Sequence, residues 1–465
     1  MKYIYFSIIF VLMTLLGTFN SNAQTNFNTR DIATNLDTPW EILWGPDNFI
    51  WMTERYGRIS RVNPQTGEVI EYLRINEVSE SGERGLMGMA LHPQFISPVP
   101  EIQAFPYIYV VYNYNSGTNS RIKVVRYNYN NGNLESKILL NDIPGAQFHD
   151  GARIWIDERD WTLYVSIGDA TIASNAQNLS NNNGKILRMN LDGTIPNNNP
   201  YPNSYIWSWG LRNSQGLVFA NNKLYSSEHG PENDDEVNII QKGRNYGWPN
   251  VMGYCNLPAE KTFCEANLVV EPIAAWTPTI APAGMDYYNN NLIPDWKNSI
   301  LLTTLKASKL IQLKLDATGT QVEFQKDFFT SKFGRLRDIC ISPDGKVYIA
   351  TSNKDGRGSP GAKDDRIIEI TPLQSSIDEL KKNDGIINAY PNPFTNEVLF
   401  ENLPDFDCIE IYNLYGDKVR ILINKSTENL LWNGRDDAGF TVPNGIYFAK
   451  IKTGTECEII KLSKH

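Results

Sequence analysis

One pattern recurs along this chain and limits its fold more than any other feature: an apolar run, a turn, a second apolar run. It reads "WEILWGPDNFIWMTE" at 40–54, "GARIWIDERDWTLYVSIGD" at 151–169, "NSQGLVFANNKLYSSEHG" at 213–230 and "LRDICISPDGKVYIATSN" at 336–353. Each turn carries Asp or Asn, which suits a tight reversal between alternating strands. Residues 85–129 and 284–315 follow the pattern more loosely. Six units therefore start near 40, 86, 151, 213, 284 and 336, roughly 46 to 71 residues apart, the repeat of a propeller blade with its loops. No unit can bury both faces of its own sheet, so the six are expected to stack radially around a channel. The count favours this over a pair of β-sandwiches. Abundant Tyr (23) and Trp (11), with few helix-forming runs, agree with an all-β chain.

The pattern stops near Thr371. A polar linker is expected over 372–386, then about eighty residues of alternating strands, 387–465, that read as a small β-sandwich. At the other end Lys2, the apolar run "YIYFSIIFVLMTLLGTF" and "SNA" before Gln24 read as a signal peptide over 1–23, leaving a propeller region over 24–371. The run sits at the short end of spanning length and nothing basic follows it, which favours removal over anchoring. No transmembrane segment is expected in the mature chain. A net charge of −9 speaks against a nucleic-acid partner.

Export changes the meaning of the five cysteines. Cys255 and Cys264 flank a short loop and suit a local disulfide in an oxidising compartment, with two thiols as the alternative. Cys340, within a strand-like run, is expected to be a buried thiol. Cys408 and Cys457 are left as either a pair or two thiols. No C-x-x-C occurs, which speaks against zinc.

Several polar stretches are candidates for chemistry. "SSEHGPENDDEVNII" at 226–240 packs five acidic residues around a Gly-Pro turn. Carboxylates and the carbonyls of Gly230 and Pro231 are ligands that hard cations accept, though a solvated loop fits equally. His149, in "QFHDGARI", lies at a loop–strand junction and is a candidate general base. His92, before Pro93, reads as a structural turn residue. Arg212 and Asn213, Lys306, and Arg335 with Arg337 begin or turn three units. Singly each reads as a surface ion pair; converging at one channel mouth, they would hold a small polyanion.

Taken together, these stretches carry a family resemblance. "GERGLMGMALHPQF", "HDGARI" with "YVSIGD", "NNNGKILRMNLDGTIPNNNP", "GLRNSQGL", "SEHGPENDDEVNII" with "GRNYGWP", "PTIAPAGMDYY" and "GRLRDICISPDGKVYIAT" resemble the soluble glucose/aldose sugar dehydrogenases. These are six-bladed propellers that use pyrroloquinoline quinone (PQQ) and calcium. The resemblance implies a sugar substrate, an electron acceptor it does not identify, and roles for particular residues. His149 would take the sugar hydroxyl proton while a hydride passes to the quinone. Arg212, counted with the catalytic set, and Asn213 would contact the quinone edge. Lys306, Arg335 and Arg337 would pair with its three carboxylates. Glu83 would face cofactor or sugar. The carbonyls of Gly230 and Pro231 would hold calcium, with Asp235 and Glu236 near further calcium positions, and Asp169 would stand near the substrate mouth. The chain departs from the glucose enzymes at Phe148, where they have an acid, and in the loop after Asp169. The last segment, with "YPNPF", "IYNLYGDKV" and "WNGRDDAGFTVPNGIYFAKI", resembles the sorting domain of type IX secretion substrates, which implies that export machinery as a partner and a secreted or surface location. The competing reading is a catalytically silent propeller that binds glycans or proteins at the same mouth.

Overall fold

The structure is a computed structural model and describes residues 26–96, 104–130, 133–373, 387–401, 403, 406–423, 430–453 and 456–465. The expected signal peptide and most of the expected linker lie outside these residues. The chain divides into two compact units, with the boundary between Pro372 and Leu373.

The first unit contains six four-stranded antiparallel sheets, each built from strands consecutive in sequence except one. Their first strands are Pro39–Trp44, Leu86–Leu91, Gly151–Asp157, Ser214–Ala220, Pro282–Tyr288 and Leu336–Ile341. Each first strand touches the first strands of the two neighbouring sheets, and the last touches the first, so the ring is closed around a central axis. This is a six-bladed β-propeller. The exceptional sheet takes three strands from the end of the unit and its fourth, Phe27–Ala33, from the beginning, with Phe27 opposite Pro372 and Asp31 opposite Ile368.

The turns within the first hairpins explain why these sequences fold this way. Asn221 and Asn222, between strands Ser214–Ala220 and Lys223–Glu228, both have positive φ, the backbone of a tight hairpin turn. In the sixth blade Gly345 has φ +88° and donates to the Ser342 carbonyl. The apolar residues between the turns pack blade against blade: Ile154, Val165 and Leu187 sit in one core with Met87 and Tyr109 of the preceding blade.

All six first strands share one irregularity near their start. The pairing register with the second strand shifts between Pro39 and Ile42, Leu86 and Met89, Gly151 and Ile154, Ser214 and Gly216, Pro282 and Met285, and Leu336 and Asp338. Such a bulge leaves extra residues out of the ladder and re-aims their side chains. Four of the residues released this way, Glu41, Arg153, Gln215 and Arg337, line the floors of the two cavities described below.

The second unit has a three-stranded and a four-stranded sheet enclosing one core of Phe394, Val398, Ile409, Trp432 and Ile451. Cys408 and Cys457 are both free there: each pairs in register with Lys452 of the strand between them, so one whole strand separates them. Cys340 is a buried thiol, and Cys255 is joined to Cys264 by a disulfide. Among the described residues no helix is long and apolar enough to cross a membrane.

Candidate active site at the channel mouth

Loops from all six blades, several of them leading into inner strands, converge on a cavity of about 840 Å³. It is lined by Glu83, His149, Arg212, Asn213, Gly230, Pro231, Asp235, Lys306, Arg335 and Arg337, which come from six segments over more than 250 residues of chain. Arg55, Phe148, Lys354, Asp355 and Arg357 complete the wall.

His149 has φ +64°, a left-handed conformation that costs a non-glycine residue energy and persists only where the surroundings impose it. Here they do: Ala170 donates to the His149 carbonyl, and a Cβ on Gly168 would stand 2.0 Å from that oxygen. The imidazole Nδ1 lies 2.9 Å from Asp169 Oδ1. Asp169 is itself fixed, with Oδ1 also accepting from Thr171 N at 2.8 Å and Oδ2 from the Trp248 indole at 2.9 Å. A buried carboxylate on Nδ1 favours the tautomer that leaves Nε2 as an acceptor toward the cavity. Asp169 is only 1% exposed and does not itself line the cavity; it stands next to the mouth, behind His149. Its oxygens are committed to the imidazole, an amide and an indole, and it acts from behind His149. Phe148, where the glucose enzymes have an acid, takes no part in this; its ring lies under the Arg357 guanidinium at 5.2 Å.

The cations fall into two groups. Arg335 is paired with Asp355 at 2.8–2.9 Å, Arg55 with Glu80 at 3.0 Å and Arg357 with Glu83 at 3.5 Å. Arg212, Lys306 and Arg337 have no carboxylate within 4.0 Å among the described residues. Arg212 spends one Nη1 bond on the His229 carbonyl and lies over Trp248 at 5.3 Å; its Nε is buried without a partner. Arg337 is 5% exposed, touches Gln215 Oε1 at 2.9 Å, and also has a buried, unpartnered Nε. Burial pushes its guanidinium down to about 10, and burial likewise lowers Arg212. Lys306 Nζ reaches only the Thr279 hydroxyl, at 2.6 Å. Buried charge without a partner is expensive, and of the three Arg337 is buried, Arg212 half-buried and Lys306 exposed. Asn213 Oδ1 accepts from Gly151 N, leaving its Nδ2 donors for the cavity.

The loop 229–236 does not work through its acids. Asp235 uses Oδ1 on Gly230 N (2.8 Å) and Oδ2 on Ile280 and Ala281 N (2.5 and 2.7 Å), so it braces the loop. Glu236 accepts from Gly253 N and Asn238 Nδ2, faces away from the cavity, and is pushed up to about 8 by burial. It does not line the cavity. No donor reaches the carbonyls of Gly230 or Pro231 among the described residues. Gly230 is required there, since a Cβ would fall 2.0 Å from the Asn233 carbonyl. Among the described residues no three His, Cys, Asp or Glu side chains gather as a metal site.

Sequence reasoning missed Trp248, Arg55, Lys354, Asp355 and Arg357. "NKDGRG", directly after the sixth unit, is charged and turn-rich and was the available signal.

These features define a class: a six-bladed propeller with a cation-lined cavity at one end of its channel and an acid-backed imidazole on its wall. Comparison with known proteins makes the class specific. Residues 36–360 match the family model described as Glucose / Sorbosone dehydrogenase, and 388–464 match the secretion system C-terminal sorting domain. The quinoprotein glucose dehydrogenase B of Acinetobacter calcoaceticus is 33% identical over 429 residues, covering 72% of this chain and 87% of that protein. The aldose sugar dehydrogenase YliI of Escherichia coli is 28% identical over 72% and 92%. The PQQ-bound aldose sugar dehydrogenase of Streptomyces coelicolor superposes with a TM-score of 0.64 at 31% identity, over 75% of this chain and 98% of that one. The chain belongs to the glucose/sorbosone dehydrogenase family and carries a secretion sorting domain.

Proposed function

We propose that this protein is a secreted quinoprotein dehydrogenase that oxidises an aldose or related sugar, with PQQ and calcium as cofactors and export through the type IX machinery. The observation that carries this reading is the set of unpaired cations, Arg212, Lys306 and Arg337, in one cavity with the His149–Asp169 pair. A tricarboxylate fits such a set, since its charges supply the partners that these cations lack. The free carbonyls of Gly230 and Pro231 fit a hard cation that takes oxygen ligands. When bound there, the cofactor pair supplies the two-electron acceptor for the hydrogen on the sugar carbon.

The protein's own part is position and charge. His149 Nε2 takes the hydroxyl proton of the sugar, and Asp169 stabilises the imidazolium that results. Asp169 and the strained backbone at 149 hold the ring in one orientation. Arg337, Lys306 and Arg212, with Arg335 at the rim, hold the anion, and Asn213 supplies neutral donors at its edge. Glu83, half-buried between His149 N and Arg357, borders the space left for a sugar. A silent glycan-binding propeller would have no use for both an oriented base and an unpaired anion clamp.

Reconstitution tests this. Purified protein with calcium and PQQ should reduce a dye in the presence of one or more aldoses from a panel. His149→Ala should lower turnover by about 10²–10⁴-fold with quinone binding kept. Wild-type protein that binds no quinone, or binds it and oxidises no sugar, would remove the reading.

A further inference from the structure

Lys185 is a fully buried lysine without a carboxylate partner among the described residues. Its ammonium reaches three main-chain carbonyls instead: Asn183 at 2.6 Å, Asn175 at 2.8 Å and Ala176 at 3.2 Å. An ammonium has three donors and no acceptor, so this set exhausts it. Burial pushes the group down to about 7, and three acceptors that need three N–H donors oppose that loss. Lys185 does not line the mouth cavity.

The three carbonyls belong to the stretch 175–183, and that stretch restrains what stands behind His149. Asn175 Nδ2 donates to the Asp169 carbonyl at 3.0 Å. Gln177 Nε2 donates to the Trp248 carbonyl at 2.6 Å. Asn183 Nδ2 donates to the Gly168 carbonyl at 3.1 Å. Gly168, Asp169 and Trp248 are the groups that fix the imidazole. The stretch is otherwise a five-residue 3₁₀ turn, Ala173–Gln177, with little apolar anchorage beyond Ala176.

We infer that Lys185 is a positioning residue for His149: its ammonium gathers the carbonyls of 175, 176 and 183 into one cradle, and the cradle holds Asp169 and Trp248 against the imidazole. This rests on the reading of His149 as the proton acceptor. A cradle of three carbonyls around one ammonium is also a site that a small free cation can fill once the side chain is gone.

The test is chemical rescue. In the full chain, Lys185→Ala should lower kcat about 10–100-fold, the loss typical when a group orienting a functional imidazole is removed. KM for sugar and quinone affinity should stay within about twofold. Methylammonium should restore several-fold of the lost kcat, and tetramethylammonium, which has no N–H donor, should restore none. A second variant, Asn175→Ala, keeps the ammonium but removes the tie to Asp169; it should lower kcat less, with no rescue by amine. The chain has only four histidines, so histidine-selective NMR can follow His149 in both variants. Lys185→Ala should shift its titration, and methylammonium should return it. If Lys185→Ala fails to fold, Asn175→Ala and the NMR titration still decide. Unchanged kcat and unchanged His149 titration in either variant would overturn the inference. Wild-type protein without turnover would instead remove the reading of His149, and the NMR arm would still report whether Lys185 holds Asp169.

Discussion

The propeller has a second cavity, of about 490 Å³, lined by the far ends of the same inner strands. Glu41, Arg153 and Asp338 lie on its floor, and Gln215 and Arg337 lie on the floor of the mouth; the bulged layer of the six blades separates the two. On the far side charge is met by charge. Arg153 pairs with Glu41 at 2.7 Å and Asp338 at 3.0 Å, and stacks over Trp40 at 4.3 Å. Burial raises both carboxyls, and the Arg153 guanidinium opposes that shift. On the mouth side Arg337 and Arg212 are left unpaired. Arg153 and Arg337 sit at matching bulges and are both buried, so the lack of counter-charge on Arg337 is a local choice. A fold that supplies partners for its cations at one end and withholds them at the other is what the proposed anion site requires.

Four measurements would break or sharpen this contrast. Arg153→Met strands two carboxyls in the far floor and should cost about 3–5 kcal/mol in denaturant unfolding; a loss below about 1 kcal/mol would mean that the triad is not holding charge. Arg337→Met removes a charge with no partner. It should leave the cofactor-free protein as stable as wild type or about 1 kcal/mol more so, while quinone affinity falls about 10–100-fold by titration. A destabilised cofactor-free protein would show that Arg337 is structural.

Asp286, half-buried on the wall of the far cavity, is pushed up to about 7 by burial. A carboxyl raised on folding weakens stability as pH climbs from its unfolded value near 4 toward 7. Asp286→Asn should therefore flatten that decline, with a gain of about 1–2 kcal/mol at pH 8 relative to pH 4 once contact with cavity water is allowed for. Equal slopes for variant and wild type would argue that the carboxyl is solvated. The smallest effect is expected from Asp355→Asn, which frees Arg335. Quinone affinity should rise about two- to fivefold with stability changed by about 1 kcal/mol or less.

The blades were legible because their signal is local. Unit starts near 40, 86, 151, 213, 284 and 336 lie within two residues of the inner strands' first residues, since a hairpin announces itself by its turn and its flanking runs. The strand Phe27–Ala33 carried no such sign, because its partner Ile367–Pro372 is some 340 residues away. At the site, the clustering of cations could be proposed from their positions before the inner strands. Which of them remain unpaired could not. Arg335 looked like Arg337 in sequence, and only the approach of Asp355 distinguishes them. The contact of Asp169 with His149 could not be read either: it depends on the close approach of the chain at Gly168 to the His149 carbonyl, where a side chain would not fit. The bulges, which aim Glu41, Arg153, Gln215 and Arg337 inward, have no consistent residue signature to read.

The pairing of Phe27–Ala33 with Ile367–Pro372 works as a latch with no covalent bond across it. A cleavage anywhere after Pro372 leaves the latch shut, so the sorting segment can be trimmed from a finished ring without loosening a blade. A cleavage just after Ala33 would detach the outer strand of the sixth blade and open the circle where its two ends meet.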